Sequence, residues 1–190
     1  MFNIIRLTLL CAVLVVATGC AHNIVITPAA VDKPKIDTAN KSVGFFITAA
    51  DKAKEVVTPG GGGDKVSYTP FRDLESSLFG TLMRVYSKRV VLPNLESAAG
   101  KSLNLIIVPG IETDSSSESA FTWPPTDFKV VFNVKAQDSA GIVLWTESVT
   151  GKGKAEFSEF KTDFALSAKR AAQDALDKLE AALRKREGLK

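Results

Sequence analysis

The N-terminal 20 residues constrain this chain more than any other segment. A single cation, Arg6, precedes an apolar run from Leu7 to Ala17 that only Thr8 interrupts. A charged start followed by a short apolar run and small residues is typical of a secretory signal peptide. The run is too short to be a membrane-spanning helix, which needs roughly 20 residues. We therefore expect residues 1–19 to be a signal peptide and the folded protein to lie outside the cytoplasm.

The apolar run ends in Ala17-Thr18-Gly19-Cys20, which resembles a bacterial lipobox. An ordinary secreted protein more often has a small-x-small cleavage site without a cysteine. The resemblance implies that the Cys20 thiol receives a diacylglycerol, that cleavage occurs before Cys20, and that the new N-terminus is acylated. Ala21 follows, whereas Asp at that position typically retains Gram-negative lipoproteins in the inner membrane. The sequence thus predicts lipidation of Cys20 and an outer-membrane anchor, with the protein facing the periplasm.

The composition of the processed chain limits the classes of partner that it can bind. Cleavage before Cys20 leaves 171 residues, which suits one domain with a hydrophobic core. Arg6 is lost, so 23 Lys and Arg balance 21 Asp and Glu, and such a chain has no basic field for nucleic acid. Cys11 leaves with the signal peptide and Cys20 is consumed by lipid, so no thiol remains for a disulfide. Packing alone must therefore stabilise the domain.

Residues 20–41 are interpreted as the lipidated N-terminus and a flexible tether. They contain two prolines among small and charged residues. A flexible chain of this length spans ~25 Å root-mean-square, which would hold the domain just off the membrane. An alternative is that Ile24-Val25-Ile26 forms a short strand at the edge of the domain. The folded periplasmic domain is then expected over residues 42–190.

Two amphipathic helices are predicted. Thr69 is a plausible N-cap with Pro70 at the first helical position, and basic residues up to Arg89 favour the C-terminal end. The second helix is expected over 160–186, with Lys169, Arg170, Asp174, Asp177, Lys178, Glu180 and Arg184 on its exposed face. In both helices the apolar residues recur every three or four positions, which indicates one buried stripe. The stripes are Phe71, Leu74, Leu78, Leu82 and Val85, and then Phe164, Ala168, Ala171, Ala175, Leu179 and Leu183.

Four strands are predicted around these helices. Residues 42–48 are rich in β-formers, 103–111 are almost wholly apolar, and 128–136 alternate between apolar and polar residues. A turn at 137–141 leads to a strand over 142–151 that pairs back as an antiparallel hairpin. The order β-α-β-β-β-α predicts an α+β fold with a single, mostly antiparallel sheet of about four strands. Two long helices would pack on one face of that sheet.

No catalytic or metal-binding constellation is expected. The processed chain has one histidine, His22, which lies in the predicted tether, so Ser-His-Asp, Cys-His and histidine-zinc arrangements are excluded. We expect no metal and no cofactor. The run Gly60 to Lys65 superficially resembles a phosphate loop, but it lacks the Ser or Thr after the lysine and no predicted strand leads into it. A mobile loop is the better interpretation.

Paired carboxylates are the remaining route to an enzyme. The candidates are Glu147, Glu156, Glu159 and Asp163. Carboxylates of this kind occur in any domain of this size, and solvated faces or ion pairs account for them more simply. A carboxylate-dependent hydrolase is therefore kept only as the least favoured function.

The segment 119–128 is the most suggestive candidate for binding. Phe121 and Trp123 precede the double proline Pro124-Pro125, and a serine-rich run comes just before them. Consecutive prolines stiffen the backbone, and rigid aromatic side chains make good anchors for a partner or a glycan. In the alternative interpretation, both rings pack over the core and close the end of the sheet.

The order of these elements resembles that of the YajG-like lipoproteins of Gram-negative bacteria. The resemblance is carried by the lipobox, the helix at 71–89, the strand at 103–114 and the hairpin at 127–157, and it spans residues 42–185. The layout is also similar to LptE and to auxiliary lipoproteins of lipid-transport ABC systems. The resemblance implies an outer-membrane lipoprotein with an α+β domain. It rests on hydrophobic patterns, so it brings no functional residue with it.

These patterns together favour a non-catalytic accessory or scaffold of a cell-envelope complex. Its expected partners are the membrane, through the lipid on Cys20, and another envelope protein. The alternative is a protein that binds a lipid or a glycan, and nucleic acid is not expected as a partner.

Overall fold

The computed structural model describes residues 21–29, 36–118, 121–160 and 162–189. Among these residues, no helix is long and apolar enough to cross a membrane. The strands are β1 (Ala21–Asn23), β2 (Ala39–Phe45), β3 (Val56–Pro59), β4 (Lys65–Tyr68), β5 (Tyr86–Val91), β6 (Leu105–Ser116), β7 (Asp127–Gln137) and β8 (Val143–Lys154). The helices are α1 (Ala49–Ala53), α2 (Pro70–Val85) and α3 (Leu166–Arg186), with a 3-10 turn at Glu96–Ala98.

The larger sheet has five strands in the order β5-β2-β6-β7-β8. Strands β7 and β8 form the predicted antiparallel hairpin and β6 pairs antiparallel with β7, while β2 runs parallel to both β5 and β6. The α+β class is confirmed, but the prediction of a single, mostly antiparallel sheet of about four strands is wrong. The alternating pattern of β7 works as expected, because Phe128, Val130, Phe132, Val134 and Ala136 are all buried on the side of the helices.

The helix predicted to reach Arg89 ends at Val85, because the residues after it form β5. Tyr86 is fully buried and extended, and Ser42 to Phe45 of β2 pair with Lys88 to Val91. Basic residues at 88–89 suit a helix C-terminus as well as an edge strand. The tertiary pairing with β2 decides between the two.

The prediction of a tether over residues 20–41 also differs from the structure. β1 runs parallel to β4, with Ala21 opposite Lys65, and the buried side chains of Ile24 and Ile26 join the core. The Ile26 N–H donates to Asp73 Oδ2 over 3.2 Å, which fixes this segment to the first turn of α2. Strand β2 begins at Ala39, before the expected boundary at 42. The alternative, a short edge strand at Ile24-Val25-Ile26, is closer to the structure, in which the edge strand lies at Ala21–Asn23.

The smaller sheet has the order β1-β4-β3, and the predicted mobile loop is the tip of its β3–β4 hairpin. Gly62 and Gly63 have φ of 65° and 87°, a conformation that other residues rarely adopt. The glycine run therefore forms the turn of a hairpin.

Helix α3 lies against the large sheet at unusually short range. Its inward face consists of Ala168, Ala171, Ala172 and Ala175, all fully buried, and Gly151 and Gly153 of β8 lie beneath it. A Cβ built on Gly151 would overlap the Ala171 carbonyl oxygen, and one on Gly153 would overlap that of Ser167. Small residues on both elements therefore allow backbone to meet backbone.

Two charged residues expected on the exposed face of α3 are buried. Arg84 of α2 donates through Nε to both carboxylate oxygens of Glu180, at 2.9 and 3.0 Å. Arg184 donates to the carbonyl oxygen of Asp37 over 2.9 Å. The prediction for Glu180 and Arg184 is wrong because these side chains join α3 to α2 and to the start of β2. Helix α3 also begins at Leu166 rather than at 160, since Asp163 Oδ1 accepts from the Ala165 N–H at 3.0 Å.

We predict that Gly151→Ala and Gly153→Ala each destabilise the domain by about 1–3 kcal/mol, the range typical of overpacking. The matched control is Gly80→Ala in α2, where an added Cβ meets nothing within 4 Å. That change should stabilise the domain by about 0.5–1 kcal/mol, because alanine favours a helix interior. Urea unfolding of the three variants measures the difference. Similar behaviour of all three would contradict the close packing of α3 on β8.

Candidate functional site

A concave aromatic surface lies where the loops before β7 and after β8 meet. We call it the aromatic face, and it has a volume of about 380 Å³ and is lined by Phe121, Thr122, Trp123, Pro124, Phe157, Phe160 and Phe164. Phe121 is 98 % exposed, Phe157 68 % and Phe164 50 %. Apolar rings exposed together in this way mark a surface that contacts something apolar, whereas scattered ones need no explanation.

Trp123 is the centre of the aromatic face. Its ring is stacked on His22 of β1, with ring centroids 4.1 Å apart, and it contacts Phe164 at a centroid distance of 4.9 Å. The Trp123 carbonyl oxygen accepts from the Gly61 N–H over 2.9 Å. A Cβ on Gly60 would overlap that same carbonyl oxygen, so the β3–β4 hairpin tip closes directly on the loop. The aromatic face is thereby joined to β1 and to the β3–β4 hairpin.

Of the four residues of the predicted binding loop, the structure exposes one and buries the other three wholly or partly. Phe121 projects into solvent, as the binding interpretation expects. Trp123 is half-buried against the core, and Pro124 and Pro125 are buried, as the alternative expects. The Pro125 carbonyl oxygen accepts from Ser167 Oγ over 2.6 Å, which holds the loop on α3. Binding at this loop stays a prediction, and the predicted lipidation site, Cys20, lies outside the described residues.

Arg170 of α3 fixes the segment that carries Phe157. It donates to the Glu159 carboxylate through both Nη atoms, at 2.9 and 2.7 Å, and to the Lys154 carbonyl oxygen at 2.8 Å. The Arg170 guanidinium, followed by the Glu156 N–H, lowers the pKa of Glu159 from its ordinary 4.5 to about 2. A charged two-point clamp therefore sets the position of the connection between β8 and α3.

Three of the four candidate carboxylates are paired with cations, and the fourth, Glu156, donates its backbone N–H to Glu159 Oε2. Glu147 accepts from Arg186 over 2.7 Å, Glu159 is held by Arg170, and Asp163 accepts from Lys169 over 2.9 Å. Ion pairs of this kind explain these residues without catalysis. Within the described parts of the chain, no group of three or more His, Cys, Asp or Glu side chains could hold a metal ion.

Sequence reasoning missed two parts of the aromatic face. The sequence places Phe157 at the end of the predicted hairpin and Phe160 and Phe164 in the last predicted helix, yet all three lie in turns before α3. His22 was set aside as part of a tether. Its contact with Trp123 joins residues 101 positions apart, and only β1 pairing with β4 brings them together.

No protein-family model matches the chain, and no curated protein matches it. The fold is similar to that of a Xanthomonas campestris protein of the DUF330 family, with a TM-score of 0.51 and 9 % identity over 90 % of this chain and 99 % of that one. A provisionally named lipoprotein from Caulobacter crescentus CB15 matches at a TM-score of 0.40 and 12 % identity, over 78 % of this chain and 92 % of that one. A minor lipoprotein from Acinetobacter baumannii matches at 0.41 and 10 %, over 75 % and 94 %. The specific resemblance to YajG-like proteins or LptE stays a prediction.

We predict that Phe121→Ala changes the free energy of unfolding by no more than about 0.5 kcal/mol, as is usual for an exposed side chain. Phe160→Ala is the matched control on the same surface, because Phe160 is only 4 % exposed. That truncation should cost about 3–5 kcal/mol. Chemical denaturation measures both, and a large loss in Phe121→Ala would show that its ring supports the fold.

The Arg170 clamp predicts a pH dependence. Because the folded pKa of Glu159 is depressed, its stabilising effect is complete above the ordinary carboxyl range and is lost as the pH falls through about 2. The side-chain carboxyl carbon of Glu159 should titrate with a midpoint near 2 by NMR. In Arg170→Gln the midpoint should rise towards the ordinary value of 4.5. An unchanged midpoint in the variant would contradict the clamp.

Proposed function

We propose that this protein is a lipid-anchored outer-membrane protein that faces the periplasm and acts as a non-catalytic accessory or scaffold of an envelope complex. The observation that carries the proposal is the lipobox-like Ala17-Thr18-Gly19-Cys20, followed at once by strand β1 at Ala21. A domain that begins one residue after its anchor is held against the membrane. The resemblance to YajG-like lipoproteins favours the same compartment.

The proposed scaffold role depends on confinement of the domain at the membrane. A domain held in a thin layer at the membrane meets membrane-bound partners at a raised effective concentration, without any new contact. Two surfaces suit such a role. One is the aromatic face, and the other is the β7–β8 turn with the adjoining edge of β8, where Ile142, Val143 and Leu144 are each about half exposed or more. An exposed strand edge can pair with a partner strand.

The chemistry of the described residues favours a scaffold over an enzyme. His22 stacks on Trp123 and lies 3.4 Å from Asp64 Oδ2. Three of the four candidate carboxylates, Glu147, Glu159 and Asp163, are engaged with Arg or Lys. A carboxylate-dependent hydrolase would instead need two facing carboxyl groups, of which one is held protonated.

A second candidate function is binding of a lipid or a glycan. The aromatic face favours it, since its lining is almost wholly apolar and its volume falls within the range of small-molecule sites. Native mass spectrometry of the purified protein separates the two functions. A retained lipid or sugar that is lost in Phe164→Ala supports binding, whereas its absence favours the scaffold.

The test of the proposal is the mass of the mature protein. We expect a chain that begins at Cys20 and carries a diacylglycerol and an N-terminal acyl group, recovered in the outer-membrane fraction. Cys20→Ser should abolish the added mass. Ala21→Asp should shift the protein to the inner-membrane fraction while leaving the lipid in place. A bare thiol at Cys20, or recovery with the cytosol, would overturn the proposal.

The accessory role needs its own experiment. Cross-linking in cells should join the anchored protein to a defined envelope protein, and Ile142→Asp or Phe121→Asp should remove that product according to which surface is used. If the lipidated protein yields no cross-linked partner at any surface position, the scaffold role is wrong even though the anchor is right.

A further inference from the structure

The aromatic face and the start of β1 lie at the same end of the domain. His22 is stacked on Trp123, and consecutive Cα atoms are about 3.8 Å apart, so Cys20 is within ~8 Å of His22 along the chain. Whatever is attached to Cys20 therefore starts beside the exposed rings of Phe121, Phe157 and Phe164. The sequence alone does not predict that Cys20 and these rings lie close together.

From this juxtaposition we infer that the aromatic face itself seats in the lipid surface next to the acylated Cys20. The inference rests on the proposed function in one respect, since the anchor is what brings a bilayer to this end of the domain. The occupant of the aromatic face is thus a phospholipid surface rather than a protein. Anchor and rings form a single membrane-contacting end.

The chemistry of the surface fits this occupant. Phe121 and Phe157 present apolar rings, while Trp123 carries both a flat apolar ring and an N–H group, the combination found where membrane meets water. Asp64 and Lys65, at the hairpin tip beside His22, supply polar groups at the margin. Acyl chains alone would hold the domain to the membrane without fixing how it is turned. Rings that enter the lipid surface fix its orientation.

The chain contains a built-in control for this orientation. It has two tryptophans, and Trp145 of β8 lies opposite Ala136. Ala136 is nine residues along β7 from Asp127, the end nearest Trp123, and a strand rises ~3.4 Å per residue. Trp145 is therefore roughly 30 Å from the end of the sheet that carries the aromatic face. A seated domain brings Trp123 to the lipid and keeps Trp145 away from it.

The experiment uses the lipidated protein reconstituted in vesicles of phosphatidylethanolamine and phosphatidylglycerol with brominated acyl chains. Trp145→Phe leaves Trp123 as the fluorophore, and Trp123→Phe leaves Trp145. We expect strong quenching of Trp123 and little quenching of Trp145. Adding Phe121→Ser and Phe157→Ser to Trp145→Phe should restore most of the fluorescence. Adding Ile142→Ser and Leu144→Ser, which remove exposed apolar side chains near the β7–β8 turn, should leave the quenching unchanged.

Equal quenching of the two tryptophans, or quenching of Trp123 that does not depend on Phe121 and Phe157, would overturn the inference while leaving the anchor intact. If the mass of the mature chain shows Cys20 unmodified, the proposed function fails, and the unlipidated protein is mixed with the same vesicles instead. Co-sedimentation that falls about tenfold for each ring removed would then still support the aromatic face. No dependence on the rings would overturn it.

Discussion

The close contact between α3 and β8 determines the rest of the architecture. Because Gly151 and Gly153 have no side chains and α3 offers alanines, the helix lies almost directly on the sheet backbone. This short distance brings Arg170 within reach of the Lys154 carbonyl oxygen and Ser167 within reach of that of Pro125. The loops on either side of the aromatic face are therefore both held by α3. These hydrogen bonds hold in place the end of the domain that presents apolar rings to solvent.

Local patterns predicted the parts of the fold that depend on near neighbours in the chain. The strict alternation at 128–136 and the turn that follows it gave the β7–β8 hairpin, and Thr69-Pro70 marked the start of α2. The parallel pairings were missed, because nothing between Tyr86 and Val91 distinguishes a strand beside β2 from the last turns of a helix. Burial of Glu180 was missed for a similar reason. Its partner, Arg84, is 96 residues away, and a helical wheel assigns any carboxylate to water.

The candidate site was half predictable. Phe121 and Trp123 stand out in the sequence, because aromatic side chains next to a stiff double proline make good anchors for a partner. The contribution of His22 and of residues 157–164 could not be read from spacing, because the small sheet first has to bring β1 beside β4. The glycine run illustrates the same limit. Its composition indicates a turn, but only the approach of Trp123 explains why Gly60 must lack a Cβ.

The aromatic face and the exposed apolar turn that contains Ile142 lie at opposite ends of the β7–β8 hairpin, so each can contact a different partner. If the aromatic face is seated in lipid, β7 and β8 carry the turn that contains Ile142 roughly 30 Å away from it. Exposed apolar residues at that turn are then presented at a fixed height above the membrane. A flexible tether would let the height and the orientation of the domain vary, whereas a strand that begins next to an anchor would keep both fixed. If Cys20 is lipidated, the start of β1 at Ala21 leaves no tether between anchor and domain, and this is what would let a small protein position a partner.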